Sequence, residues 1–306
     1  MKLEDRTILV TGPTSQVGVP VVAHLAARNR VYGLARFSKE ADRARIEALG
    51  ATPIAADIGR DDLSDVPDDV EIVLHFAVVK SGDFAYDLQA NAEGVGRVFS
   101  RCRNASAFLH CSSTAVYQPA GHAPRREDDA LGDHHRVMMP TYSIAKIAAE
   151  SVARFAAREF DVPTIITRLG VPYGDNGGWP WFHLMMMKAG AAIPVSHDAP
   201  STYSPIHEDD YVRMIPDLLD HASVPATTVN WTGSEAVSIE DWCAYLSELT
   251  GLEAKLEPSD AALPSAVADA TRLESLVGPA RVPWKEGIRR MVEARNPELL
   301  RDQQDR

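Results

Sequence analysis

Cysteine is scarce in this 306-residue chain: Cys102, Cys111 and Cys243 are the only three. Their spacing offers no pairs, which excludes a disulfide framework and a cysteine-based zinc site. Positive charge is also short. Lys and Arg number 31 against 43 Asp and Glu, so the formal net charge is −12. Binding to nucleic acid rests on neutralising phosphates, and a chain this acidic lacks the footprint for it. The same charge is repelled by anionic membrane surfaces. No run of about 18 apolar residues occurs, which excludes a transmembrane helix. Met1–Arg6 passes from charge straight into a strand-like stretch without a signal-peptide apolar region, so a cytoplasmic location is expected. With 45% hydrophobic residues the chain has ample material for a core. At about 100–200 residues per domain, its length admits two units.

Short apolar runs alternate with longer amphipathic ones through the first 170 residues. Strands are predicted at Thr7–Thr11, Val31–Arg36, Thr52–Ala56, Glu71–Ala77, Phe108–Cys111 and Thr164–Leu169. Helices are predicted at Val17–Arg28, Lys39–Leu49, Asp87–Arg103 and Tyr142–Glu159. Continuous apolar strands separated by helices imply a parallel sheet covered on both faces, an α/β doubly wound fold. After Tyr173 the texture changes to Gly, Pro, Trp and Met. Helices follow near Trp181–Lys188, Asp209–Leu219, Ser238–Leu249 and Pro283–Ala294, with a strand at Thr227–Trp231. The expected division is a dinucleotide-binding Rossmann domain over 1–174, with 205–231 returning to it, and a smaller substrate lobe from 175–204 and 232–306. The tail Arg301–Arg306 is expected to fray.

The segment Thr7–Gly18 reads as a strand, a small-residue turn and a helix start. Free N–H groups and positive dipole at a helix N-terminus suit a pyrophosphate, with Gly12 and Gly18 allowing a tight turn and close packing. The second strand carries no acid where an NAD-specific protein would hold the ribose 2′-hydroxyl. Arg36 stands there instead, a bidentate donor suited to the 2′-phosphate of NADP. Asp57 follows the third strand, placed to accept the adenine amino group, and Arg60 is placed to approach the adenosine. In Tyr142-Ser-Ile-Ala-Lys146 the two functional side chains are i and i+4 and share one helix face. A free tyrosine has a pKa near 10. One ammonium at about 4 Å contributes ~4 kcal/mol at an effective dielectric near 20. That is worth about three pKa units, so Lys146 is expected to bring the phenol towards neutrality. A serine hydroxyl at the end of the strand before Val116-Tyr117 would orient a substrate oxygen.

The cofactor turn, the Ser-Ser strand end and Tyr-x-x-x-Lys, in this order, resemble the extended short-chain dehydrogenase/reductases of the NAD-dependent epimerase/dehydratase family. Leu74-His-Phe-Ala77, Asn91-Ala-Glu-Gly94, Arg168–Gly174, Pro205–Asp210 and Val282–Gly287 extend the likeness over nearly the whole length. The resemblance implies cofactor contacts from Gly12, Ser15, Gln16, Val17, Gly18, Arg36, Asp57, Ile58, Ala77 and Leu169. Ser113 falls at the catalytic serine and Tyr142 at the proton donor or acceptor. Lys146 would bind the nicotinamide ribose, and Asn91 supports the site. Substrate contacts are expected at Thr114, Val171 and Tyr203.

Departures from the family pattern bear on substrate. Ser15 replaces the middle glycine of the turn, its hydroxyl offering a bond to phosphate. Thr114-Ala115 replaces the acid pair of the sugar dehydratases, so dehydration lacks its general acid and base. Val171 and Tyr203-Ser204 stand where nucleotide-sugar enzymes often carry an Asn and an Arg. The expected activity is therefore NADP(H)-dependent interconversion of a carbonyl and an alcohol on a small, fairly apolar molecule, with NAD the alternative cofactor. A nucleotide-sugar 4-epimerase is the alternative activity, with Arg272 or Arg281 meeting the pyrophosphate. A non-catalytic NADP-sensing regulator ranks third, because such proteins usually lose the tyrosine–lysine pair. The resemblance also implies a homodimer through the helices carrying Asn91 and Tyr142. Three features carry bland expectations. The pair His134-His135 is read as solvated rather than metal-binding, since adjacent loop residues are poorly placed to share an ion. Glu127-Asp128-Asp129 is read as a solvated loop, and Trp179–Met187 as core or dimer contact.

Overall fold

The computed structural model describes residues 1–301; positions 302–306 of the expected frayed tail lie outside the described residues. The first half runs β1 (Thr7–Thr11), α1 (Gly18–Ala26), β2 (Arg30–Ala35), α2 (Glu40–Ala48), β3 (Thr52–Ala55) and β4 (Ile72–His75). It continues through α3 (Phe84–Leu88), a π-turn at Gln89–Glu93, α4 (Gly94–Arg101), β5 (Ala107–Ser113), α5 (Tyr142–Glu159) and β6 (Thr164–Leu169). The helix expected over Asp87–Arg103 is thus broken by the π-turn, a feature frequent at functional sites.

Seven strands form one sheet in the order β12-β6-β5-β4-β1-β2-β3, where β12 is Thr227–Trp231. Every pair in it is parallel. The chain travels outward from β1 to β3, then crosses back to lay β4 on the other side of β1. That reversal opens a crevice at the strands' C-terminal ends, where this architecture binds ligands.

Both sheet faces are apolar, as the continuous hydrophobic strands require. One face packs Val10, Leu74 and Leu109 against Val22 and Leu25 of α1 and against Tyr211 and Leu218 of α7 (Glu208–Asp220). The other packs Leu9, Val73 and Phe108 against Val95 and Phe99 of α4 and Ala149, Ala153 and Ala156 of α5. Alanine at those α5 positions lets the long helix lie close to the strands, and the Phe99 and Phe108 rings stack at 3.8 Å. Each fully buried Leu, Ile or Phe contributes about 1.5–3 kcal/mol.

The small lobe has a core of its own around Trp242, Tyr203, Leu184, Met187 and Met291. It is framed by α6 (Trp179–Lys188), α8 (Ile239–Thr250) and α10 (Trp284–Arg295), with a parallel pair of Ala192–Val195 and Lys255–Pro258. Val171–Gly174, Gly177–Gly178 and Pro205–His207 make a three-stranded sheet between the lobe and the main body. His207 Nδ1 accepts the Asp209 N–H at 3.2 Å and caps α7. Asp210 accepts the N–H groups of Arg281 and Val282 at 2.8 and 2.9 Å, tying α7 to the chain entering α10.

Candidate active site

The turn after β1 is shaped by contacts a side chain would forbid. Gly12 has φ +67°, and a Cβ there would stand 2.8 Å from the Ala77 nitrogen. Ala77 accordingly floors the turn from the end of β4. Ser15 does not offer its hydroxyl to a phosphate as expected. Its Oγ donates to the Gly12 carbonyl at 2.8 Å and accepts the Gly18 N–H at 2.9 Å, bracing the turn from inside. Gln16 and Val17 precede α1, and among the described residues their N–H groups have no hydrogen-bond partner. Two free amides at a helix N-terminus fit a pyrophosphate.

Tyr142 opens α5, and an i+4 row runs along one side of the helix through Lys146, Glu150 and Arg154. The row starts at the C-terminal end of β5, where Ser113 neighbours the Tyr142 phenol and opposes the effect of its burial. Lys146 is 4% exposed and its Nζ donates to the Cys111 carbonyl at 2.7 Å. The expected effect of Lys146 on Tyr142 is not what the structure shows. Burial pushes the phenol up to about 12, against the opposing pull of Ser113, while burial lowers the Lys146 ammonium from its usual value. Lys146 does not offset that burial, its ammonium being turned to a backbone carbonyl and not to the phenol.

Further along the row the chemistry becomes structural. Glu150 is fully buried and bound twice by Arg168, Nε to Oε1 and Nη2 to Oε2, both at 2.9 Å. Ser112 Oγ and Arg154 Nη2 also donate to it, at 2.6 and 2.8 Å. Arg168 reaches on to the Glu127 carbonyl at 2.9 Å, and Glu127 Oε1 accepts the Asn230 N–H at 2.8 Å. Glu127 is therefore not solvated: it locks its loop to β12, whereas Asp128 stays 88% exposed.

Three residues near the site escaped the sequence reading, and a fourth was read as solvated. Lys80 Nζ sits 4.7 Å from the centre of the Tyr142 ring. Its loop is anchored by Asp87, whose carboxylate accepts from the Ser81 hydroxyl at 2.6 Å, the Ser81 and Gly82 N–H groups and the Thr141 hydroxyl. One helical turn on, Asn91 clamps the Val79 peptide, accepting at 2.7 Å and donating at 2.8 Å. Asn91 thus acts through the Lys80 loop, with its amide oxygen and one amide N–H engaged there. Third is His135, whose ring lies 5.5 Å from that of Tyr142. The solvated reading of this histidine pair fails: His134 is 4% exposed, and its Nε2 bonds the Ser265 carbonyl at 3.2 Å. Last is Tyr86, at the adenosine end. It donates to Asp57 Oδ2 at 2.6 Å, accepts from Arg36 Nη1 at 3.3 Å, and carries the Arg60 guanidinium 4.2 Å over its ring. Asp57 also accepts the Gly59 N–H, while Ile58 is buried against Gly94. Leu169, at the end of β6, is 5% exposed and packs in the core.

The family model for the NAD dependent epimerase/dehydratase family matches residues 8–230. The chain belongs to this epimerase/dehydratase family. A trifunctional UDP-glucose 4,6-dehydratase/UDP-4-keto-6-deoxy-D-glucose 3,5-epimerase/UDP-4-keto-L-rhamnose-reductase of Arabidopsis thaliana is 23% identical over 98% of the chain. The chain covers 49% of that protein, so it spans about half the length of this curated relative. Among solved structures it resembles UDP-glucuronic acid 4-epimerase from Bacillus cereus, crystallised with UDP-glucuronic acid and NAD. That match has TM-score 0.82 and 21% identity, over 94% of this chain and 98% of the other. UDP-glucose 4-epimerase from Thermotoga maritima gives TM-score 0.81 and 21% identity, over 96% and 99%. These likenesses establish the extended short-chain dehydrogenase fold.

Within this epimerase/dehydratase frame, the side facing the small lobe differs from the expected contacts. Tyr203 is 2% exposed, donates its hydroxyl to the Leu263 carbonyl at 2.9 Å and packs on Trp179, so it lies in the lobe core and not in a pocket. Thr114 is 8% exposed and Ala115 fully buried, so no acid stands after Ser113. Val171 is half-buried beside Pro205. Arg272 is engaged by Glu127 and Asp128. Arg281 is exposed and makes no ion pair among the described residues. It lines a cavity of about 150 Å³ with His207, Glu235 and Trp284. The Trp179–Met187 stripe is mostly lobe core, with Phe182 left 58% exposed.

Proposed function

We propose that this chain oxidises and re-reduces a carbinol carbon of a nucleotide-linked sugar, as a 4-epimerase does. The observation that carries the chemistry is the convergence of Ser113, Tyr142 and Lys146 where β5 ends, beside the free amides of the cofactor turn. A bound nicotinamide dinucleotide supplies the hydride acceptor and donor. Tyr142 takes the proton from the substrate hydroxyl or returns it, and Ser113 fixes the oxygen against the phenol. Lys146 holds positive charge beneath the site, where it favours a developing oxyanion. Gln16 and Val17 would hold the pyrophosphate. The sugar substrate is supported by the UDP-sugars bound in the similar solved structures. Arg281 is the candidate for the substrate's diphosphate, and dehydration remains disfavoured by Thr114-Ala115.

A second reading is the NADP(H)-dependent reductase of a small, fairly apolar carbonyl compound. It is favoured by Arg36 at the edge of β2 and by the burial of Tyr203 where a guanidinium would meet a nucleotide. Titration of the purified protein with NADPH and NADH separates the two. Tightly held or preferred NAD(H) supports the epimerase, and reversible binding favouring NADPH supports the reductase. In either case Tyr142→Phe should abolish turnover and leave cofactor affinity nearly unchanged. Retained turnover in that variant sinks both. A homodimer across α4 and α5 is supported by Ile144 and Phe155, 38% and 64% exposed on α5.

A further inference from the structure

The two adjacent histidines form a hydrogen-bonded chain that fixes where each proton sits. A carbonyl oxygen only accepts, so the bond to Ser265 requires the proton of His134 to be on Nε2. His134 is 4% exposed with no carboxylate bonded to it, and burial holds its pKa below the usual value. It is therefore neutral, and its Nδ1 is a bare acceptor. His135 Nδ1 stands 3.2 Å from that atom and must be the donor. Burial, with His134 and Lys80 beside it, pushes His135 down to about 3, so this ring is neutral too. Its remaining nitrogen, Nε2, carries a lone pair and has no protein partner among the described residues. The ring is held in place by its own backbone N–H, which donates to Ser143 Oγ at 3.1 Å, and lies against Tyr142 at 5.5 Å.

We infer that His135 is a substrate-binding residue whose Nε2 accepts a hydrogen bond from a hydroxyl beside the reacting carbon, selecting substrates with oxygens on adjacent carbons. The inference rests on reading Tyr142 as the group that exchanges the proton. An acceptor of fixed tautomer next to that phenol discriminates: it gains a bond from a neighbouring hydroxyl, and a substrate lacking that hydroxyl leaves it unpaired.

Two measurements on the full chain decide it. Long-range proton–nitrogen spectra of the labelled protein, assigned with His134→Phe and His135→Phe, should show His134 protonated on Nε2 and His135 on Nδ1 alone. A His135 ring protonated on Nε2, or on both nitrogens, overturns the inference whatever the protein turns over. Kinetics with UDP-glucose and its 3-deoxy analogue as probes should show wild type preferring the former by about tenfold in KM, one hydrogen bond's worth. His135→Phe, which keeps the ring packing, should erase that preference, and His135→Gln should restore part of it. An undiminished preference in His135→Phe overturns the inference. Failure of the parent reading shows separately, as turnover surviving in Tyr142→Phe.

Discussion

Glu150→Ala is the substitution that tests whether a buried charge network holds the catalytic helix. It would remove a carboxylate with no exposed surface and strand Arg168, itself 2% exposed, with only the Glu127 carbonyl and the Tyr117 ring as partners. Removing one partner of a buried pair leaves an uncompensated charge, at a cost of about 3–5 kcal/mol. For 306 residues, unfolding entropy near 2.1 cal/mol/K per residue gives about 0.64 kcal/mol/K, so the melting midpoint should fall by roughly 5–8 °C. Urea unfolding followed by tryptophan fluorescence, alongside calorimetry, measures both quantities. The double variant Glu150→Leu with Arg168→Met should regain most of the loss, because neither member of the pair is then left as a lone buried charge. A cost under about 1 kcal/mol for the single variant, or a double variant no better than it, refutes the reasoning. The pH dependence has a definite sign. Burial raises the Glu150 carboxyl, but the bonds and charge of Arg168, with Ser112 and Arg154, bring it net below its usual value. Its stabilisation is thus present above the unfolded glutamate pKa and lost as pH falls through the folded one.

The buried histidines of the sheet act in the same direction. Burial lowers His75 to about 3 and His110 well below its usual value, so the unfolded chain binds more protons below about pH 6.5. Stability should fall there by up to ~1.4 kcal/mol per pH unit for each, and His110→Phe should flatten the urea-midpoint profile between pH 6.5 and 5. Burial raises the Tyr142 phenol in the protein alone. The phenol must be ionised to take the proton of a substrate hydroxyl, so the rate of alcohol oxidation should rise with pH as it ionises, and a rate that falls as pH rises would contradict the assignment. Arg36→Ala should weaken NADPH by about tenfold and leave NADH unchanged, in a fluorescence titration; equal effects on both would remove Arg36 from the ribose contact. All three thiols are buried, with Cys111 pushed up to about 11 and Cys102 and Cys243 to about 12. Ellman's reagent at pH 8 should find none in the native protein and three after denaturation.

The main sheet was legible because its strands are buried on both faces and its helices are long enough to show a period. Thr7–Thr11, Tyr142–Glu159, Thr164–Leu169 and Thr227–Trp231 agree to the residue. The helices framing the small lobe were legible within two residues, but its strands were not, since they are two to four residues long and interrupted by Gly and Pro, too short for any periodicity. The serine, tyrosine and lysine were legible for a different reason: their order and spacing are dictated by one strand end and one helix turn. What the sequence could not show is the environment each side chain meets. Lys146 was expected to face the phenol and instead donates to a carbonyl; Ser15 was expected at a phosphate and instead closes its own turn.

The residues that escaped notice or were misjudged share a physical cause. Lys80, Asp87 and Asn91 belong to one device, in which a carboxylate and an amide four residues apart hold a loop so that its ammonium lies over Tyr142. Asp87 and Asn91 share a helix face, a spacing visible in the chain, but the loop they hold lies upstream and has no periodicity to announce it. His134 and His135 looked solvated because the sequence around them is polar. Their partners, Ser265 and Ser143, come from the far lobe and from the catalytic helix. A polar loop becomes part of a site when backbone groups from two separate elements close on it, and that closure fixes a tautomer as well as a position. In this chain the reacting groups follow from local spacing, whereas the contacts that would choose a substrate are made across elements distant in sequence.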